Sequence, residues 1–330
     1  MSKIIEINKK SNQPKYIQIV NSVIGSIENG KLVKGAQLPS INELAEKKQT
    51  AKATVAKAYE QLRERGIIIS QHGKGFYVAK TEIKNQLNVF VLFDNFNPYK
   101  EILYNALKTS LPESTEFSIF FHHYNLSVFE NLINNNIGKF NYYVILPHFD
   151  GDVSRIVNRI PRDKLIILDK DVPRLQGPYT CVYQDFENDI FRVLQNGISH
   201  LLRYKRFNLV LGREHLQYVP ADILKGFKRF GTRKLLPFKI WENLDEKMIR
   251  KDEAYLIFSD VDLIKFIKNI LSKNWIPGKD VGLISYDDTP LKEILLHGVT
   301  VISTDFEAMG KTAGHLMLTK TKEKFSNPFH

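Results

Sequence analysis

The chain has 330 residues, 43% of them apolar and 25% charged, which is enough material for two folded domains with a substantial buried core. No run approaches the roughly 20 apolar residues of a membrane span, the amino terminus lacks the apolar stretch of a secretory signal, and a single cysteine, Cys181, excludes an internal disulfide. The net charge of +11 is uneven: residues 1–80 carry 14 Lys and Arg against 6 Glu and no Asp, while the other 250 residues carry 33 against 30, so the polyanion-binding surface belongs in the first quarter. A cytoplasmic protein is expected.

Taken in chain order, the apolar positions Tyr16, Ile17, Val20, Val23, Ile24 and Ile27 recur at helical spacing between Pro14 and Asn29, and Gly30 stops that helix. Leu38-Pro39-Ser40 then leads into a second helix, where Ser40 and Glu43 form a capping box. Thr50 is expected to cap a third helix whose buried stripe is Val55, Ala58, Tyr59 and Leu62. Two β-rich runs follow, Ile67–Ile69 and Phe76–Val78, joined by the glycine-bearing turn Gln71-His72-Gly73-Lys74-Gly75. Three helices and a basic hairpin make a winged helix-turn-helix. The third helix would enter the major groove with Lys52, Ala53, Ala56 and Lys57 on its outer face. Small alanines let the backbone approach base edges, and lysines reach phosphates or guanine. His72, Lys74 and the amide of Gly73 would touch backbone or minor groove from the wing. Charge, helix order and hairpin agree on DNA binding rather than on a plain packing module.

The same residues resemble the GntR family DNA-binding domain. The likeness runs over about residues 12–79, through Pro14-x-Tyr16, Gly30-x-Leu32, Gly35-x-x-Leu38-Pro39-Ser40, Glu43-Leu44-Ala45, Thr54-Val55, Leu62, Gly66 and Gly73-Lys74-Gly75. It implies DNA contacts at Ser40, Asn42, Ala51, Lys52, Ala53, Thr54, Lys57, His72, Gly73 and Lys74. The chain departs from the family where Ile41-Asn42 stands for Glu-Arg, Ala51-Lys52 for Ser-Arg, and Ala56 for a later basic contact. Operator preference therefore does not carry over.

Residues 81–86 form a polar connector, and 87–330 alternate apolar β runs with helices. The clearest strands are 89–93, 117–121, 142–146, 165–168, 207–211, 255–258 and 281–285; helices fall over 101–107, 189–202, 221–230, 263–271 and 308–318. That alternation predicts parallel sheets crossed by right-handed connections, an α/β fold. Ligands of such sheets sit beyond the carboxyl ends of the strands. Those ends present Asp94, Asn97, Tyr99, the pair His122-His123, His148, Asp169, Lys170, Asp185, Arg213, Asp260, Tyr286 and Asp287. Short carboxylates and amides hold vicinal hydroxyls, and aromatic faces cover the C–H side of a sugar ring. About half of the aspartates are expected only to cap helices. Adjacent histidines point to opposite faces, so His122 and His123 share no metal, and one of them, taken as His123, faces the cleft.

Several stretches resemble the LacI-type effector domain, a two-lobed, periplasmic-binding-protein-like fold. They are Asn97-Pro98-Tyr99, Ile166–Lys170, Leu224-Lys225-Gly226-Phe227, Ile276–Val281, Ser285-Tyr286-Asp287-Asp288, Thr300-Val301, Asp305-Phe306 and Met309-Gly310-x-x-Ala313. The resemblance implies effector contacts from Asp169, Asp260 and above all Asp287. It departs at Ala221, where the family has a cleft arginine, and at Ser259, where it has asparagine. Related sequences also tend to continue beyond Asn327–His330 into a final strand. The site is thus expected to comprise Asp94, Asn97, Tyr99, His123, Asp169, Lys170, Asp185, Arg213, Asp260, Tyr286 and Asp287.

No phosphate-binding loop, nucleophile elbow, zinc-helix or paired-cysteine pattern occurs, so neither cofactor nor metal is expected and no catalytic residue is assigned. The expected protein is a homodimeric repressor on a palindromic operator of double-stranded DNA, released by a small sugar. The alternative is a cytoplasmic sugar-handling enzyme fused to a DNA-binding head.

Overall fold

The computed structural model describes residues 5–8, 14–81, 87–213 and 218–330. Most of the expected connector, 82–86, lies outside the described residues. Two compact units divide the chain: Met1–Phe90 with Ser114–Ser118 and Ile133–Asn141, and Val91–Glu113 with Ile119–Leu132 and Tyr142–His330.

The first eighty residues form α1 (Lys15–Glu28), β1 (Gln37–Leu38), α2 (Ile41–Lys47), α3 (Lys52–Glu64), β2 (Ile68–Gln71) and β3 (Gly75–Val78). The strands make a small antiparallel sheet in the order β1-β3-β2. Each helix contributes one apolar stripe to a common core in which Val23, Leu44, Val55, Tyr59, Leu62 and Ile68 are almost fully buried. Tyr59 places its ring edge-on to Phe76 and donates its hydroxyl to the Pro39 carbonyl at 2.8 Å, fixing α3 to the start of α2 and to the wing. Two expectations need correction. The two-residue strand β1 lies where the sequence reads as loop, and Thr50 does not cap α3. The cap position is Ala51, with extended backbone and no side-chain bond, because Thr50 instead closes the turn through its amide on Ala45 O at 3.0 Å.

The larger part is α/β with two parallel sheets. The first lobe holds β4 (Asn88–Phe93), α4 (Pro98–Thr109), β5 (Glu116–Phe121), α5 (Leu126–Asn136), β6 (Tyr142–Ile145), α6 (Ser154–Val157), β7 (Leu165–Asp169) and β8 (Thr180–Tyr183). The second holds α7 (Phe186–Asn196), α8 (Ile198–Leu201), β9 (Arg206–Val210), α9 (Ala221–Lys234), β10 (Phe238–Trp241), β11 (Glu253–Ile257), α10 (Asp260–Ser272), β12 (Gly282–Tyr286), α11 (Pro290–Ile294) and β13 (Thr300–Ile302). The chain then returns to the first lobe as α12 (Phe306–Thr319) and β14 (Lys324–Ser326). Strand order is β14-β8-β7-β6-β4-β5 in one sheet and β10-β9-β11-β12-β13 in the other. Central strands such as β4, β7 and β11 are buried on both faces, which is why they read as unbroken apolar runs. In the second lobe α7 and α9 cover one face with Ile190, Phe227 and Phe230, and α10 covers the other with Phe266 and Ile270.

Helix 189–202 is corrected to two, since the chain breaks at Gly197 between α7 and α8. Close helix contact rests on glycine at two places. A Cβ on Gly310 of α12 would sit 2.5 Å from Leu103 O on α4, and one on Gly226 of α9 would sit 2.3 Å from Glu187 O on α7. The chain passes between the lobes at 184–185 and 303–305, and residues 327–330 run beside these crossings. They are tied laterally by Asn327 N to Tyr183 O at 2.8 Å, Asp305 N to Pro328 O at 3.1 Å and Ser303 N to His330 O at 2.6 Å. Among the described residues, no helix is long and apolar enough to cross a membrane.

Candidate DNA-binding and effector sites

On the winged unit, Ser40 caps α2 by accepting from Glu43 N at 3.2 Å, and Asn42 follows on that helix's exposed first turn. Ala51, Lys52 and Ala53 are exposed at the start of α3, whereas Thr54 is half-buried. Lys57, one turn on, is exposed, with its ammonium 4.3 Å from the centre of the Tyr16 ring on α1. His72, Gly73 and Lys74 are exposed in the hairpin turn, where Gly73 adopts φ +70. The Lys74 carbonyl accepts from Gln37 Nε2 at 2.8 Å and from Tyr77 Oη at 3.0 Å, so the edge strand β1 tethers the tip of the wing. No signal in the sequence announced Gln37. The arrangement offers an exposed helix N-terminus and a wing with basic residues, the parts needed for a major-groove reader with a backbone contact beside it.

The second site lies between the two lobes, at the carboxyl ends of both sheets. It is built on an ionic chain. Asn97 caps α4 by accepting from Lys100 N at 3.1 Å, and Pro98 starts the helix. This local geometry turns Lys100 back so that its buried ammonium meets Asp94, at the end of β4, and Asn95 Oδ1 at 2.8 Å. His148, beyond β6, reaches Asp94 with Nδ1 at 3.2 Å and Asp169, at the end of β7, with Nε2 at 2.8 Å. Burial disfavours the charged forms of Asp94 and His148, but the opposed charges win. The Asp94 carboxyl is held well below the usual carboxylate range by His148 and Lys100, and Asp94 and Asp169 push the His148 imidazole up to about 9. His148 is therefore an imidazolium at neutral pH.

Aromatic rings line this chain. Tyr218 stacks on His148 at 5.2 Å and 13° and on Tyr124 at 6.5 Å, and its hydroxyl receives a hydrogen bond from Lys170. Tyr99 stacks on Phe306 at 5.1 Å, and Tyr286 on Phe258 at 4.1 Å. Asp287 closes the site from the end of β12. Burial and then the neighbouring charge of Asp169 push its carboxyl up to about 7, against the pull of Lys292 and Lys100. Asp169 and Asp287 both take left-handed backbone, φ +67 and +59, conformations that short polar side chains tolerate and that here turn a carboxylate off the strand end. Among the described residues, neither Asp169 Oδ1 nor Asp287 Oδ1 has a hydrogen-bond partner.

Of the eleven expected effector residues, Asp94, Tyr99, Asp169, Tyr286 and Asp287 line this cavity. Lys170 adjoins it through Tyr218. The other five lie elsewhere or act locally. Asn97 caps α4, and Asp185 caps α7 through Asn188 N at 3.5 Å. Asp260 is exposed at the start of α10, pairing with Lys292 at 3.1 Å. Arg213 is exposed and paired with Glu242 at 2.6 Å. His123 is exposed at φ +47, outside the lining. Its neighbour His122 is buried, stacked on Phe149, with Nε2 on Leu146 O at 3.2 Å, and burial lowers its pKa to about 4. Sequence reasoning missed Lys100, Tyr124, Tyr218, Phe258 and Phe306 as lining residues.

The cavity measures about 40 Å³, room for little more than a water molecule and well short of the roughly 300 Å³ of ligand pockets. A sugar would require Tyr218 to leave or the lobes to part. A larger cavity of about 490 Å³ lies within the second lobe, between α7–α8 and β12–β13, against Leu201, Tyr204, Leu283 and Val301. Among the described residues its lining has no Asp or Glu side chain, whereas the smaller one gathers three aspartates. Among the described residues no group of three or more His, Cys, Asp and Glu is placed to hold a metal ion.

Residues 15–78 match the family described as bacterial regulatory proteins, gntR family. The chain is 37% identical over 81 residues to the uncharacterised HTH-type transcriptional regulator YurK of Bacillus subtilis, a match covering 24% of this chain and about a third (34%) of that protein. It is 32% identical over 100 residues to the HTH-type transcriptional repressor YtrA of the same organism, covering 27% of this chain and 77% of the relative. Over 74% of this chain the fold is similar to the whole solved portion (99%) of the trehalose repressor from Escherichia coli, with a TM-score of 0.62 at 13% identity. The chain belongs to the GntR family of bacterial transcriptional regulators, and its larger part has the two-lobed LacI-type fold.

Proposed function

We propose that the protein is a cytoplasmic, homodimeric repressor of carbohydrate-utilisation genes whose operator affinity is set by a monosaccharide bound between the lobes of residues 87–330. The observation that carries this reading is the convergence of three buried aspartates, Asp94, Asp169 and Asp287, with the rings of Tyr99, Tyr218 and Tyr286 at the carboxyl ends of two parallel sheets. Carboxylate oxygens accept from sugar hydroxyls and the rings cover the apolar face, while the interlobe crossings 184–185 and 303–305 would serve as hinges. The fold likeness to a repressor named for trehalose supports the same reading. A dimer would present residues 1–80 twice to a pseudo-palindromic operator, with Lys52, Lys57 and Ala53 in the major groove, Ser40, Asn42, Ala51 and Thr54 at its edge, and His72–Lys74 at the flanking backbone.

The test pairs a thermal-shift screen of pentoses, hexoses and deoxyhexoses with gel retardation on an operator selected from random duplexes. A true effector at 100 times its dissociation constant raises apparent stability by about 2.7 kcal/mol. The same sugar should release the DNA. A sugar that stabilises the protein yet leaves retardation unchanged would sink the switch, and turnover of the sugar would favour the fused-enzyme alternative.

A further inference from the structure

We propose that the ligand of the interlobe cleft is cationic, an amine-bearing polyol whose ammonium group sits between Asp169 and Asp287, rather than a neutral or phosphorylated sugar. The proposal rests on the cleft reading above and sharpens it to a chemical class. The reason is the charge left over once the cleft's own ion pairs are counted. Asp94 is matched by Lys100, and His148 is shared between Asp94 and one oxygen of Asp169. Those four groups are neutral together. Among the residues that line the cleft, Asp287 is then one carboxylate more than the cations there.

Among the described residues, the ammonium groups of Lys292 and Lys170 are both hydrogen-bonded to groups other than the Asp287 carboxylate. The Lys292 ammonium is held by the carbonyl oxygens of Tyr286 at 2.9 Å and Asp287 at 2.7 Å and by the carboxylate of Asp260 at 3.1 Å. Lys170 is held by the Tyr218 hydroxyl and the Phe149 carbonyl. Arginine is absent from the described lining. Asp169 and Asp287 are buried, and among the described residues one carboxylate oxygen of each has no donor. A buried carboxylate without a partner is costly, and the group that relieves it best is a cation that also donates hydrogen bonds. Tyr99, Tyr218 and Tyr286 line the same cleft, and aromatic rings favour the same charge. A phosphate would meet three aspartates and, among the described residues, ammonium groups already hydrogen-bonded elsewhere.

The experiment uses the intact protein and calorimetric titration at pH 7 with hexoses, pentoses and hexitols, each in three matched forms: neutral, amino-substituted and phosphorylated. For the best-binding skeleton, the amino form should bind at least tenfold tighter than the neutral form, and the phosphorylated form should not bind. Asp287→Asn should collapse that preference to less than threefold. Should that variant fail to fold, Asp169→Asn provides the same readout, and the wild-type ranking stands on its own. A neutral or phosphorylated form that equals or exceeds the amino form overturns the cationic class while leaving a ligand-binding cleft. If no form of any skeleton binds a protein that still retards DNA, the cleft reading itself fails, and this proposal with it.

Discussion

Asp287 titrates against the usual rule for a carboxylate. Its folded pKa, about 7, lies above the unfolded value near 3.8, so the folded state holds the proton more tightly. That favours folding at low pH and costs stability progressively as pH rises from about 4 through 7. Asp287→Asn keeps the side-chain shape and tolerates the left-handed backbone. It should raise the melting temperature at pH 8, by an amount corresponding to about 2 to 4 kcal/mol, and change it little at pH 4. Equal effects at both pH values would show that the charge is not what strains the site. His148 works in the opposite sense: its folded pKa of about 9 exceeds 6.5, so its pairing stabilises fully below pH 6.5 and is lost as pH climbs through 9. On the DNA side, each lysine that neutralises a phosphate contributes about 0.9 to the log–log salt slope. Lys52→Ala should therefore flatten that slope by about 0.9 in anisotropy titrations. Lys57→Ala should do the same, and an unchanged slope in both would move the recognition face elsewhere.

Elements with strong local signals were legible in the sequence. The winged unit read correctly as three helices and a hairpin because each helix shows one clean apolar stripe and the turns after α1, α3 and β2 carry glycine. The doubly buried strands β4, β7, β9, β11 and β12 read as apolar runs. Short elements such as β1, β10, β13 and β14, of two to four residues, have too little sequence for a period to show. The split at Gly197 was missed because the apolar spacing continues across it from Leu194 to Leu201. The cleft was partly legible, since strand ends can be read from sequence. Which strand-end residues turn inward cannot, because Asn97, Asp185 and Asp260 satisfy helix starts at spacings no different from those of Asp94 or Asp169. Tyr218, which fills the cleft from the segment before α9, is a tertiary neighbour of His148 seventy residues away and has no local signature. The α4–α12 contact supplies a test at this scale. Gly310→Val would force Cβ against the Leu103 carbonyl and should lower stability by about 2 kcal/mol or more, with a falling melting temperature on calorimetry. A neutral result would mean that the two helices separate freely.

At the scale of the whole molecule, a GntR-type DNA reader is joined to a LacI-type two-lobed fold, and the proposed control lies in the cleft. Coupling of this kind typically amounts to about 1–3 kcal/mol, and it is reciprocal, so DNA should weaken effector binding by the same factor with which effector weakens DNA binding. Only a ligand with different affinity for the open and closed states can shift that balance. The decisive measurement is operator affinity by fluorescence anisotropy for the wild type and Asp287→Ala, each with and without a ligand shown by calorimetry to occupy the wild-type cleft. The account predicts that ligand weakens wild-type DNA binding at least fivefold, while Asp287→Ala binds DNA as the ligand-free wild type does and ignores the ligand. An unchanged wild-type affinity at full cleft occupancy would contradict it.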